Sequence, residues 1–198
     1  MSTIKVNKIE NTSTTDGGIS IDNSGNVGIG TTSPAVDLDV SGKIRASTGI
    51  LFGTDTAAAN TLDDYEEGTW TAGIAGTTTA GSYTFSKNTG NYTKIGNLVK
   101  VDVWLDDITT VSAGSGQARI TGLPFPVKTG DNQYHGSIRL SEWDVDNATV
   151  NLAAAALAVV DQIGFIETRD GLAAGSVNIA DKTSNNAYVM VSVTYMAA

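Results

Sequence analysis

Apolar and polar residues alternate along most of this chain, but the alternation has two grains. Up to about residue 60 it comes in very short runs: Ile4 and Val6, then Ile19–Ile21, Val27–Ile29, Val36–Val40, Lys43–Arg45 and Gly49–Phe52. Turn signals separate them, namely Asp22-Asn23-Ser24-Gly25, Thr32-Ser33-Pro34 and Ser41-Gly42, after a polar break at Thr12–Gly18. Each run can bury one face only. Residues 61–69 read as a junction. Beyond them the strands lengthen and all the tryptophans appear. The clearest is Asn97–Ile108, where Leu98, Lys100, Asp102 and Trp104 interleave with Val99, Val101, Val103 and Leu105. Gln117–Thr121, Tyr134–Leu140, Ile163–Thr168 and Ala187–Met196 also read as strands. Turn chemistry at Asn88–Asn91, Ile95–Asn97, Ala113–Gly116, Thr129–Asn132, Arg169–Gly171 and Thr183–Asn186 divides them. Ala148–Val160 is alanine-rich, which favours helix; its β surroundings favour a strand, and strand is the reading taken.

The first grain sets an energetic problem. About a dozen aliphatic side chains in some sixty residues cannot offset roughly 1–2 kcal/mol of backbone entropy per residue. Copies of the chain packed about a common axis would cover those isolated apolar faces. The expected fold is therefore all-β: an N-terminal intertwined trimeric β shaft (residues 19–60) after an attachment segment (1–18), followed by a C-terminal β-sandwich, jelly-roll-like head (61–198).

Composition narrows the function classes. The net charge is −9, with 12 basic against 21 acidic residues, which argues against phosphate-backbone binding and for no nucleic-acid partner. The one acidic cluster, Asp63, Asp64, Glu66 and Glu67, reads as a solvated turn. With no cysteine, disulfides, thiolate metal sites and a cysteine nucleophile are excluded. The opening Met1-Ser2-Thr3-Ile4-Lys5 lacks the apolar run of a signal peptide, and no stretch approaches a membrane helix. Synthesis in the cytoplasm without membrane insertion is expected.

Two stretches carry a resemblance. Gly25-Asn-Val-Gly-Ile-Gly-Thr-Thr-Ser-Pro34, with Leu38-Asp-Val40 and Gly42-Lys-Ile44, resembles a repeat module of phage tail fibres and related virion adhesins. Leu62-Asp-Asp-Tyr-Glu-Glu-Gly-Thr-Trp-Thr71, with Asn91–Val99 and Ile120–Phe125, is similar to head domains of phage tail and structural proteins, frequent in phages of aquatic bacteria and cyanobacteria. The resemblance implies a β-rich trimer on the virion surface with a structural or adhesive role. Its partners would be further copies of itself, capsid or tail proteins through the N-terminal segment, and a host surface glycan. The chain is short for a long fibre and shows no self-cleaving chaperone domain after the head. A short tail or head fibre, or a capsid-decorating cement protein, fits better, with a glycan-degrading spike as a third reading. In the shaft motif Val27, Gly28, Ile29, Gly30, Pro34, Leu38, Val40 and Ile44 are the candidate trimer residues. Gly28 and Gly30 would leave room where three backbones meet, Val27 and Ile29 would fill the core, and Pro34 would end pairing.

Catalytic chemistry finds little footing. His135 is the only histidine and no Gly-x-Ser-x-Gly elbow surrounds a serine, so a Ser–His pair is unsupported. Glu142, Asp144 and Asp146 would share a strand face if extended, but glycoside hydrolysis needs two carboxylates flanking a sugar. Asp22–Asn26 lacks the closing acid of a calcium loop, and Gly28-Ile-Gly30 lacks the third glycine of a dinucleotide site. No catalytic residue, metal or cofactor is expected. Tyr134, His135 and Trp143 are the candidate glycan contacts, with Trp104 and Tyr188 as further aromatic faces. The competing reading makes Trp70, Trp104 and Trp143 core or interface residues.

Overall fold

The computed structural model describes residues 8–10, 18–54, 56–57, 61–130, 134–145, 149–157, 161–169 and 173–198. Ile4, Val6, Asp146, most of the attachment segment and parts of the turns at 129–132 and 169–171 lie outside them. The protein is all-β: among the described residues the regular elements are strands β1 to β16 and a 3-10 turn, Ile179–Asp181. It divides into two compact units, Met1–Ile50 and Leu51–Ala198.

The first unit holds a sheet in the order β1-β2-β3-β4, built from Lys8–Glu10, Gly18–Ile21, Val27–Ile29 and Leu38–Val40. β1 thus falls within the stretch assigned to attachment and pairs with β2. The β2–β3 turn closes as its sequence predicts. The Asp22 carboxylate accepts the N–H groups of Ser24 and Asn26 at 2.8 and 2.9 Å, and Gly25 takes φ 88°. The hydrogen bond from the Asn26 backbone, opposed by desolvation and helped by Ser24, holds that carboxyl below its usual range.

β3 and β4 run parallel. Such neighbours ordinarily need a long crossover, but three-residue strands let residues 30–37 suffice. That link lies on the polar face. Ser20 and Gly28 stand in register there, the Ser20 hydroxyl donates to the Thr31 carbonyl at 2.6 Å, and the Ala35 N–H donates to Asp39 at 3.0 Å. A Cβ on Gly28 would stand 2.4 Å from the Thr31 carbonyl oxygen. The space that glycine leaves is therefore filled within one chain. Pro34 is buried in the link, after β3 has already ended at Ile29. Two shorter expectations fail: 43–45 forms no strand, and 49–52 contributes only a bridge at Ile50.

The second unit is one long antiparallel path, β5-β8-β9-β16-β12-β13-β14-β11-β6, in which β11 is Ala118–Thr121 and β14 is Gln162–Arg169, with β15 (Gly175–Ser176) beside β14. Its ends, β5 (Tyr65–Thr71) and β6 (Gly73–Gly76), are consecutive in sequence, joined by Ala72 alone. The sheet must therefore curl until it nearly closes. Ala72 is clasped at that seam, its N–H donating to the Asn88 carbonyl at 2.9 Å and its carbonyl accepting the Asn88 side-chain amide at 3.0 Å. β12 (Tyr134–Ser141) makes the other corner. Its first residues pair with β13 (Thr149–Leu157) and its later ones with β16 (Tyr188–Met196). Inside lie Tyr195, Phe165, Leu105, Ile108, Ile120 and Ile163, all fully buried. A separate ribbon pairs β7 (Ser82–Thr84) with β10 (Thr109–Ser112).

Three sequence expectations are corrected here. The stretch 61–69 is no plain junction, because Tyr65–Thr71 is β5; Asn88–Asn91 is no turn, because Thr89–Ile95 is β8. Glycines give both stretches the look of turns. Gly68 and Gly90 oppose Tyr92 and Trp70 in register, and each aromatic ring packs over the glycine it faces. The acidic cluster is likewise not a free turn. Glu66 and Glu67 belong to β5 and accept hydrogen bonds from Tyr92 and Tyr65, while Asp64 pairs with Lys94.

Candidate functional site

The alternation read along β9 (Leu98–Leu105) is realised in full. Val99, Val101, Val103 and Leu105 are buried; Leu98, Lys100, Asp102 and Trp104 face outward. Register extends that outward face across five strands. Thr69, Asn91, Asp102, Ser192 and Ser137 form one polar row from β5 to β12. Beside it, Trp104 opposes Met190, which opposes Arg139. Between these rows lies an open groove of about 330 Å³, lined by Lys87, Thr89, Asn91, Asp102, Trp104 and Met190 with backbone of β8, β9 and β16.

Its electrostatics are mixed. Burial works to raise the Asp102 carboxyl, but hydrogen bonds from Lys100 and Ser192 and the Lys100 charge outweigh it, so the carboxyl titrates below its usual range. The Lys100–Asp102 pair closes at 2.8 Å. Lys87 rests over the Trp104 ring, 4.6 Å from its centroid, and bridges in register to Asp106. Arg139 lies 5.6 Å from the Tyr188 ring. The Trp104 indole N–H is buried and has no hydrogen-bond partner among the described residues. Lys87 and Asp102 thus line the groove together with Trp104, offering donors, acceptors and an apolar plane together.

The predicted glycan contacts do not meet. Tyr134 packs inward against the core, whereas the exposed His135 faces out from the next position on β12. Trp143 packs on the core too, edge-on to Phe165 with ring centroids 5.8 Å apart. Trp70 is core and Trp104 is not. Glu142 has φ 60° and follows the end of β12, so it and Asp144 do not continue an extended strand face. Missed altogether were Lys87, Asn91 and Met190. The signal for Asp102 was present, since period two had already placed it outward beside Trp104; nothing local told which other strands lie alongside.

The residues expected to form a trimeric shaft sit as follows. Ile19, Ile29 and Val40 align across β2, β3 and β4, and Ile21, Val27 and Leu38 form the neighbouring row. Within one chain this face is bare: Ile19 is 40%, Ile21 42%, Ile29 42% and Leu38 56% exposed. Val27 and Ile29 therefore do not fill a core inside one chain. Ile44 lies outside the strands and is exposed as well.

Among the described residues no cluster of His, Asp and Glu is placed to hold a metal ion. No helix among them is long and apolar enough to cross a membrane. No protein-family model matches the chain, and no curated protein matches it. Among solved structures, the crystal structure of the Dettilon tailspike protein (gp208) is similar, with a TM-score of 0.52 at 16% sequence identity. What is shared is the fold. The match covers 68% of this chain and 24% of the tailspike chain.

Proposed function

We propose that this chain is a structural protein of a bacteriophage particle, a short trimeric fibre or knob on the virion surface whose head adheres to a host glycan. The observation that carries the reading is the fold shared with part of a tailspike over 68% of the chain. The bare face of the first unit supports the trimer. Covering Ile19, Ile21, Ile29 and Leu38 is worth about 1 kcal/mol for each side chain in each copy, and further copies of the same face are the partners always at hand. In this reading residues 19–60 form the shaft and residues 1–18 attach it to capsid or tail proteins. The jelly-roll-like head at 61–198 presents its outer face to the host. We assign the chain no catalytic step.

The test is competition and removal on particles that carry the chain. Purified chain in excess should block adsorption to host cells, and particles lacking it should adsorb poorly. Normal adsorption with lost heat or osmotic resistance would replace this reading with a capsid-cementing role. Release of reducing sugar ends from host polysaccharide would replace it with a glycan-degrading spike.

A further inference from the structure

We infer that the groove at Trp104 is the sugar-binding site of the head, and that it takes a neutral pyranose glycan laid along the row Asn91–Asp102–Ser192. The inference rests on the adhesive reading and adds to it a place and a ligand class. Three features of the outer face carry it. First, Trp104 is the one tryptophan lining this open groove, while Trp70 and Trp143 pack in the core. An indole plane beside Met190 matches the apolar C–H face of a pyranose ring. Second, Asn91 and Asp102 oppose each other in register, and Asp102 opposes Ser192. Amide, carboxylate and hydroxyl then follow one another at the spacing of adjacent strands, about 4.8 Å. Such a row can accept and donate to successive hydroxyl groups. Third, the groove lining itself carries one cation and one anion, Lys87 and Asp102, in a chain whose net charge is −9. A polyanionic ligand would gain little locally and meet repulsion from the whole molecule. Lys87 occupies the ring face in the free chain, but its exposed contact with the indole is weak. A sugar would displace it and take a hydrogen bond from its ammonium group.

The full chain is titrated with neutral gluco-, galacto- and manno-oligosaccharides, and with oligogalacturonate and a single-stranded oligothymidine as anionic probes. Tryptophan fluorescence and calorimetry are the readouts. At least one neutral probe should bind and shift the emission. Trp104→Phe should abolish the shift, and Asp102→Asn and Asn91→Ala should each weaken binding about tenfold, in line with losing a charge-assisted or a neutral hydrogen bond. Lys43→Gln, in the other unit, should change nothing. Circular dichroism melts of each variant establish that it is folded. Neutral binding that survives Asp102→Asn and Trp104→Ala puts adhesion elsewhere and overturns this site while leaving the adhesive role standing. Preference for either anionic probe overturns the ligand class. A chain that binds none of the probes, on particles whose adsorption it also fails to block, removes the site and the adhesive role together.

Discussion

Replacing Tyr195 by phenylalanine tests whether the buried hydroxyl ties β16 to the 122–127 loop. Tyr195 is fully buried, and its hydroxyl donates to the Phe125 carbonyl at 2.9 Å. Losing that bond leaves a carbonyl without its donor, so Tyr195→Phe should cost about 1 kcal/mol near neutral pH. Alkali reverses the comparison. Burial pushes the Tyr195 hydroxyl from its ordinary 10.0 up to about 12, with the negative charge of Asp161 acting in the same direction. A group whose folded pKa is raised keeps its contribution below the unfolded pKa and loses it as pH climbs towards the folded one. The wild-type chain should therefore lose up to about 2.7 kcal/mol between about pH 10 and 12 through this residue, a loss the phenylalanine variant escapes. Tyr65 and Tyr92 are raised too, by hydrogen bonds to Glu67 and Glu66 with desolvation second, but they are common to both proteins and cancel in the difference. Urea unfolding of both proteins at about pH 8 and again at about pH 11.5 supplies the comparison. The wild type should be the more stable at the lower pH, and its lead should vanish or invert at the higher. A constant gap across that range would refute the claim that the folded chain holds this hydroxyl neutral above its ordinary range.

Other substitutions probe the corner, the core and the bare face. Gly136→Ala would set a Cβ 2.2 Å from the Ser192 carbonyl oxygen where β12 turns between its partners; about 3 kcal/mol of stability should be lost, read from a thermal or urea melt. Phe165→Ala removes a fully buried ring edge-on to Trp143; it should cost about 3–5 kcal/mol and red-shift the Trp143 emission. Ile29→Asp alters a side chain that is 42% exposed within one chain. It should leave the melting of Leu51–Ala198 unchanged while reducing the molecular mass measured by light scattering.

Much of the second unit was legible because its strands obey period two. β9, β11, β12, β14 and β16 lie where the alternation put them. β13 shows the limit of propensity. Ala154, Ala155 and Ala156 are all buried, paired on one side with β12 and on the other with β14, so small side chains serve close strand packing and the helical preference of alanine is overridden. β5 and β8 were hidden because glycine reads as a turn, while the reason for Gly68 and Gly90 is an aromatic ring on a neighbouring strand. The same long-range register hid the groove. Trp104 and Asp102 were separable from the core by alternation, but their neighbours Lys87, Asn91 and Met190 come from segments that only the sheet order brings alongside. In the first unit the runs at Ile19–Ile21 and Val27–Ile29 were readable, whereas the role of Gly28 depends on the Thr31 carbonyl that the parallel link folds back over it.

Whether Ile19, Ile21, Ile29 and Leu38 are covered by other copies of the chain is decided most directly by the mass of the purified protein in dilute solution. Size-exclusion chromatography with light scattering should return three times the 20.4 kDa chain mass, and a single mass near one third of it for Ile29→Asp. A wild-type protein that is folded and elutes at 20.4 kDa would contradict the trimer and the shaft built on it.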